Sequence, residues 1–255
     1  MKKGILLVNL GSPDSPEVKD VKPYLDEFLM DERVIDAPSW LRNFLVRGII
    51  LNTRPKKSAE AYKSIWWEEG SPLIVLSERL LAEVQKHSEL PVSLGMRYGN
   101  PSIESGIQKL MDENPDLEEF LLIPLYPHYA MSSYETVVVK AREVVEQKFP
   151  KLKMKVKKAF FNEESYLQIL ADSIKPALEK DYDHVLFSYH GIPERHIRKG
   201  DITKSHCLNY ENCCQKDSPA HQFCYRHQTL KTTDLIAERL QLPEGKYSIL
   251  PTKPL

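Results

Sequence analysis

Neither sign of charge dominates this sequence. Its 35 lysines and arginines stand against 36 aspartates and glutamates, a formal net charge of -1, which removes the electrostatic case for nucleic acid or an anionic membrane surface as partner. Long hydrophobic runs are missing too, and nothing approaches the ~18 apolar residues of a membrane span. No GxGxxG or P-loop pattern supports nucleotide binding, and a hydrolase built on Ser188 would lack its GxSxG elbow. Cysteine is absent outside residues 207 to 224, and none of the four forms a CxxC pair. The N-terminal MKKGILLVNLGSPDSP has neither the apolar core nor the small-residue cleavage site of a signal peptide. It reads as a strand closed by a Gly-Ser-Pro turn, with the cytoplasm as the expected location.

The 255 residues, 42% hydrophobic and 28% charged, suit a soluble protein of one large or two modest domains at ~100–200 residues each. Strand and helix patterns alternate nearly throughout. Ile5 to Leu10 reads as a strand, and Val18, Val21, Tyr24, Leu25, Phe28 and Leu29 recur at helical spacing, with Pro23 suggesting an irregular start. Residues 34 to 72 give no clear period, and WWEEGSP looks like a loop. A helix around Leu76 to Val84, a strand over 91–98, a helix capped by Ser102, a strand from Phe120 to Tyr126 and a helix over 133–148 follow. The pattern then restarts with a strand at 153–161, a helix at 164–179, a strand at 184–190, a helix at 230–241 and the strand KYSIL. The expectation is an α/β fold of two Rossmann-like, doubly wound domains with parallel sheets, over 1–150 and 151–255. The second would carry a cysteine-rich insertion at 204–228 and look incomplete, because KYSIL is followed by no further crossover.

The stretch HVLFSYHGIPERH, residues 184 to 196, carries the first chemical signal. Val185, Leu186 and Phe187 read as a buried strand, along which Ser188 and His190 face one way and Phe187 and Tyr189 the other. Gly191 and Pro193 stop it. A histidine at the carboxyl end of a parallel strand lies where open α/β sheets hold ligands; a hydrogen-bonded structural histidine is the plain alternative.

The second signal is the confinement of Cys207, Cys213, Cys214 and Cys224 to one segment. In a reducing compartment such clustering points to metal more than to disulfide. Four thiolates meet the need of a [2Fe–2S] centre. Zinc is the alternative, with His206, His221 or His227 in place of a cysteine, and free thiols in a surface loop are another.

Several motifs together resemble the ferrochelatases: VNLGSPDSPEVKDVKPYLDEFL, GSPL at 70 to 73, LGMRYGNPSIE, PLYPHYAMSSYE and FSYHGIPERH, in that order. The resemblance runs from about residue 4 to residue 249. It implies two Rossmann-type domains around a porphyrin cleft and a lyase reaction of haem biosynthesis, insertion of Fe(II) into protoporphyrin IX. It places the family's histidine on His190, as base or as ligand to the incoming ion, with Ser188 to orient it. It also implies substrate contacts at Leu10, Arg97 and Tyr98, where the guanidinium would pair with a propionate, and at Tyr126, His128 and Tyr129. Porphyrin and ferrous iron are the implied partners, and an apolar porphyrin favours peripheral membrane contact. Oligomeric state leaves no mark in the sequence.

Within the family, the cysteines resemble bacterial members that carry them in an insertion just after the histidine motif and bind a [2Fe–2S] cluster. Met131 stands where other members place a ligand cysteine. The ending LPTKPL departs from the family, which continues with Gln-Ser-(Arg/Lys), a Pro-Trp-Leu segment and an acidic motif facing the histidine. A C-terminally truncated ferrochelatase is therefore expected, with a non-catalytic porphyrin- or metal-binding homologue, or a chelatase for another tetrapyrrole, as the alternatives.

Overall fold

Three successive apolar residues, Leu6, Leu7 and Val8, are buried in the first strand, β1 (Lys2–Ser12). A strand that is apolar on both faces needs helices on both sides, and the computed structural model, which describes residues 2–250, provides them. The closing Pro-Thr-Lys-Pro-Leu, apart from its preceding Leu250, lies outside the described residues. β1 is flanked in parallel by β2 (Val92–Gly99) and β3 (Leu117–Pro124), and β4 (Lys153–Val156) pairs with β3, giving the order β2-β1-β3-β4. In this order the direction of winding reverses beside β1, so the carboxyl ends of β1 and β3 border the crevice where such sheets take ligands.

Helix α1 (Val18–Leu29) buries Val21, Tyr24 and Leu25, and it runs through Pro23 as one helix rather than starting irregularly there. The unread region 34 to 72 is mostly helical. It holds α2 (Ser39–Asn43), a wide π turn over Phe44–Ile50, α3 (Leu51–Thr53) and α4 (Pro55–Ile65). These pieces are too short or too polar to show a period. Helix α5 (Pro72–His87) covers the sheet face that carries Leu7, Val92, Leu94 and Met96. Helix α6 (Ile103–Glu113) covers the other face, with Ser102 accepting the Ser105 N–H at 3.1 Å as its N-cap. It lies so close that a Cβ on Gly106 would come within 2.7 Å of the Leu94 carbonyl oxygen, and Ser93 donates to the Gly106 carbonyl at 2.7 Å. After a second wide turn, Met131–Glu135, α7 (Thr136–Lys148) buries Val137, Val138, Ala141 and Val144.

The chain divides into two units, one running to Leu125 and again over Ser132–Lys157, the other comprising Tyr126–Met131 and the chain from Lys158 on. The strand expected at 153–161 is thus the edge of the first sheet, because its short apolar stretch pairs with β3. In the second unit, α8 (Glu164–Leu178) and α10 (Tyr225–Arg239) pack around a parallel pair, β5 (Val185–Phe187) and β6 (Tyr247–Ile249), with α9 (Glu194–Gly200) following β5. Phe187 packs against Leu167, Ala171 and Ile236. The apolar run is not a fully buried strand, however: Leu186 points away from this cluster and is 54% exposed. Among the described residues no helix is long and apolar enough to cross a membrane.

Candidate functional site

In the first unit, the residues at the end of β1 approach β2 closely. Gly11 has φ +105°, and a Cβ there would collide with the Tyr98 carbonyl, so only glycine lets Leu10 and Ser12 run beside Tyr98 and Gly99. Leu10 packs on the cluster of Val21, Tyr24, Leu25 and Tyr98. The outer side of that cluster forms an open groove of about 250 Å³, lined by Leu25, Phe28, Leu29, Tyr62 and Ile65, with Arg54 and Ser58 among its polar members. It suits one face or edge of a flat apolar ligand. A second hollow of about 230 Å³ at the end of β1 is lined by Asp14, Glu69 and Glu78, which would repel a carboxylate-bearing ligand.

Arg97 and Tyr98 lie behind the groove. Tyr98 is fully buried and Arg97 is nearly so. The carboxylate of Asp31 accepts from Arg97 Nη2 at 2.6 Å, from the Tyr98 hydroxyl at 2.8 Å and from the Thr136 hydroxyl, while its other oxygen takes the Arg33 N–H at 2.8 Å. Arg97 Nε also donates to Thr136 Oγ1 at 2.6 Å, and the guanidinium stacks 4.2 Å from the Tyr98 ring. Burial alone would raise the Asp31 carboxyl, but the bonds from Thr136 and Arg33 and the Arg97 charge outweigh it and hold it below the usual carboxylate range. Burial raises the Tyr98 phenol. The charge that the sequence assigned to a propionate is therefore matched internally by Asp31. Tyr98 reaches the groove indirectly, through an edge contact with Phe28 at 5.2 Å. Asp31 escaped the sequence reading, since an acid in LMDERV looks like a surface residue, and Phe28 was legible only as part of the apolar face of α1.

In the second unit, the alternation expected along FSYH holds beyond the strand itself: Ser188 and His190 are exposed and Tyr189 is half-buried. Tyr126, His128 and Tyr129 lie past the end of β3, half-buried in this unit. His128 meets Tyr189 and Tyr225 edge-on at 5.7 and 5.9 Å and bonds Thr232 at 2.9 Å. Burial pushes His128 down to about 4, so it is neutral at physiological pH. The Tyr129 N–H donates to Gln228 Oε1 at 2.6 Å.

The four cysteines are all buried and free, and Cys207 and Cys224 share one packed cluster with Ile192, Ile197 and Ala220. Cys224 is the N-cap of α10 and accepts the His227 N–H at 3.4 Å. The bond from Cys214 and the helix N-terminus pull the Cys224 thiol down, to about 6. Burial pushes Cys207 up, to about 12, and the bond to Cys224 together with burial pushes Cys214 up as well. Asp201 anchors the loop by accepting the N–H groups of His206 and Cys207, each at 2.8 Å. The nearby histidines do not face the sulfurs as ligands. His206 Nε2 and His221 Nε2 donate to the Cys213 carbonyl at 2.7 and 3.0 Å, and His227 Nδ1 donates to that of Cys214 at 2.8 Å. Among the described residues, no three His, Cys, Asp or Glu groups are set to hold a single metal ion.

Known proteins resemble this chain over nearly its whole length. The Ferrochelatase family model matches residues 2–250. The ferrochelatase of Azotobacter vinelandii is 49% identical over 248 residues, covering 96% of this chain and 72% of its own length. That of Pseudomonas fluorescens is 48% identical with the same coverage, and that of Opitutus terrae is 46% identical over 250 residues, 97% of this chain and 72% of the relative. The chain belongs to the ferrochelatase family.

Proposed function

We propose that this chain serves the insertion of Fe(II) into a protoporphyrin-type ring, with two pyrrole protons released for each ion that enters. The observation that supports it most is His190, an exposed imidazole just past the carboxyl end of β5. A neutral imidazole can accept a pyrrole proton or ligate the incoming ion. Within the first unit, the groove of Leu25, Phe28, Leu29 and Tyr62 offers an apolar surface, with Leu10 in the wall behind it. Arg54 at the groove, rather than Arg97, pairs with a substrate carboxylate, because Asp31 already neutralises Arg97. Exposed Trp40 and Phe44, one helical turn apart, offer an apolar surface for peripheral contact with a membrane, where an apolar porphyrin partitions. The working compartment in this reading is the cytoplasm.

The cysteine loop belongs to the same reading as a [2Fe–2S] site held by Cys207, Cys213, Cys214 and Cys224. Four sulfurs buried together fit the donor count. A bound centre would supply a redox-responsive cross-link, since metal insertion itself transfers no electrons.

The test is anaerobic mixing of the chain with protoporphyrin and Fe(II), following porphyrin fluorescence for binding and haem absorbance for insertion. His190→Ala is expected to bind porphyrin normally and to insert iron at least ~100-fold more slowly. Arg54→Ala is expected to weaken porphyrin binding by about tenfold. Binding without insertion by the unaltered chain would favour a non-catalytic binder, and full activity in His190→Ala would end its assignment.

A further inference from the structure

The buried face of α10 is polar. Gln228, Thr229, Thr232 and Thr233 are all at most 2% exposed, where a helix against a sheet ordinarily turns apolar side chains inward. Each of three of these side chains, and Tyr225 in the first turn, reaches a residue in or beside the histidine segments. Tyr225 meets the His128 ring edge-on at 5.9 Å. The Gln228 amide donates to the carbonyls of His221 and Gln222 in the cysteine loop at 3.1 and 2.9 Å, and its oxygen accepts the Tyr129 N–H. Thr232 donates to the carbonyls of Phe161 and Gln228 at 2.9 and 3.0 Å, so the proton between it and His128 must come from His128 Nε2. By the same logic Thr233, donating to the Thr229 carbonyl at 3.1 Å, accepts the Tyr189 hydroxyl at 2.8 Å. The helix begins at Cys224, whose sulfur caps it.

We infer that α10 is a positioning element that transmits the state of the cysteine loop to the histidine segments: Cys224 sets the first turn, and Tyr225, Gln228, Thr232 and Thr233 carry that setting to His128, Tyr129 and to Tyr189 beside His190. The inference rests on His190 having the role proposed above. The coupling follows from two properties of the helix. A helix terminus without its cap frays over the first turn, and here that turn holds Tyr225 and Gln228. Buried polar groups satisfied by one another have no equivalent partners if that turn shifts. A metal centre held by Cys224 would stiffen the same turn.

Hydrogen exchange on the full chain, without porphyrin or iron, tests the coupling separately from the chemistry. Amides in 127–131 and 188–193 are expected to exchange about fivefold faster in Cys224→Ala than in the unaltered chain. Cys224→Ser keeps an oxygen cap and should return both segments close to the original rate. Thr233→Val, which keeps the side-chain shape, should speed exchange in 188–193 only, and it serves if Cys224→Ala does not fold. The inference is overturned if Cys224→Ala loosens only 205–224, if Cys224→Ser exchanges as fast as Cys224→Ala, or if Thr233→Val leaves 188–193 unchanged. Failure of iron insertion with these exchange patterns intact would count against the role of His190 alone.

Discussion

In the first unit the strands are sealed on both faces by apolar side chains, with Leu6, Leu7, Val8, Phe120 and Leu122 nearly or fully buried; in the second, the helix against β5 and β6 turns three threonines and a glutamine inward and leaves Leu186 exposed. The two units use the same strand–helix repeat for different ends. Apolar burial is non-directional, and it suits a scaffold that has to present a groove for a flat apolar ring. Hydrogen bonds are directional, and they suit a unit that has to aim particular side chains, here His128 and Tyr189. The first unit gathers its densest directional bonding in the Asp31 cluster behind the groove.

The contrast is tested most severely in the sheet core. Phe120→Ala removes a ring with no exposed surface from the centre of the first unit, and a loss of about 3–5 kcal/mol is expected. All three tryptophans, Trp40, Trp66 and Trp67, belong to that unit, so denaturation followed by their fluorescence reads its stability alone. A loss under about 1 kcal/mol would mean that the apolar core is not what holds this sheet.

The next effect in size comes from Asp31. Asp31→Asn keeps an acceptor but leaves the Arg97 charge with only the longer, 3.8 Å contact to half-exposed Glu27, at a cost of roughly 2–3 kcal/mol. Its pH dependence has a definite sign. The folded carboxyl titrates below its unfolded value of about 4, so its contribution is fully present above that value and is lost as pH falls through the lower folded pKa. The difference in stability between the unaltered chain and Asp31→Asn should therefore be constant near neutral pH and shrink below about pH 4. A difference that grew on acidification would contradict the network as drawn.

How much of this could be read in advance depended on the range of the interaction involved. Local patterns carried over well: the Ser102 cap, the helix over Glu164–Leu178, and the opposite facing of Tyr189 and His190 all arise within a few residues. Long-range partners did not. Asp31 bonds residues 66 and 105 positions away, and nothing in its own surroundings marks it as buried. Lys153–Val156 reads as the start of a second domain until its pairing with β3 is seen. Of the helices between Ser39 and Ile65, α2 and α3 are too short for a period to emerge, and α4, PKKSAEAYKSI, has few apolar residues to mark one. The polar face of α10 defeats a rule rather than a range: threonine and glutamine at helical spacing look solvent-facing, though β-branched threonines recurring on one helix face are a signal that something other than propensity selects them.

The smallest effect is the most informative about the second sheet. Leu186 follows the same strand pattern as Leu6 and Leu122, yet more than half of its surface is exposed. Truncating it removes little apolar area from burial, and Leu186→Ala should cost no more than about 1 kcal/mol. Exchange of the β5 and α8 amides measures this in the unit that lacks tryptophan. A cost close to that of Phe120→Ala would mean that the outer face of β5 is covered in solution, and the two sheets would then be sealed in the same way.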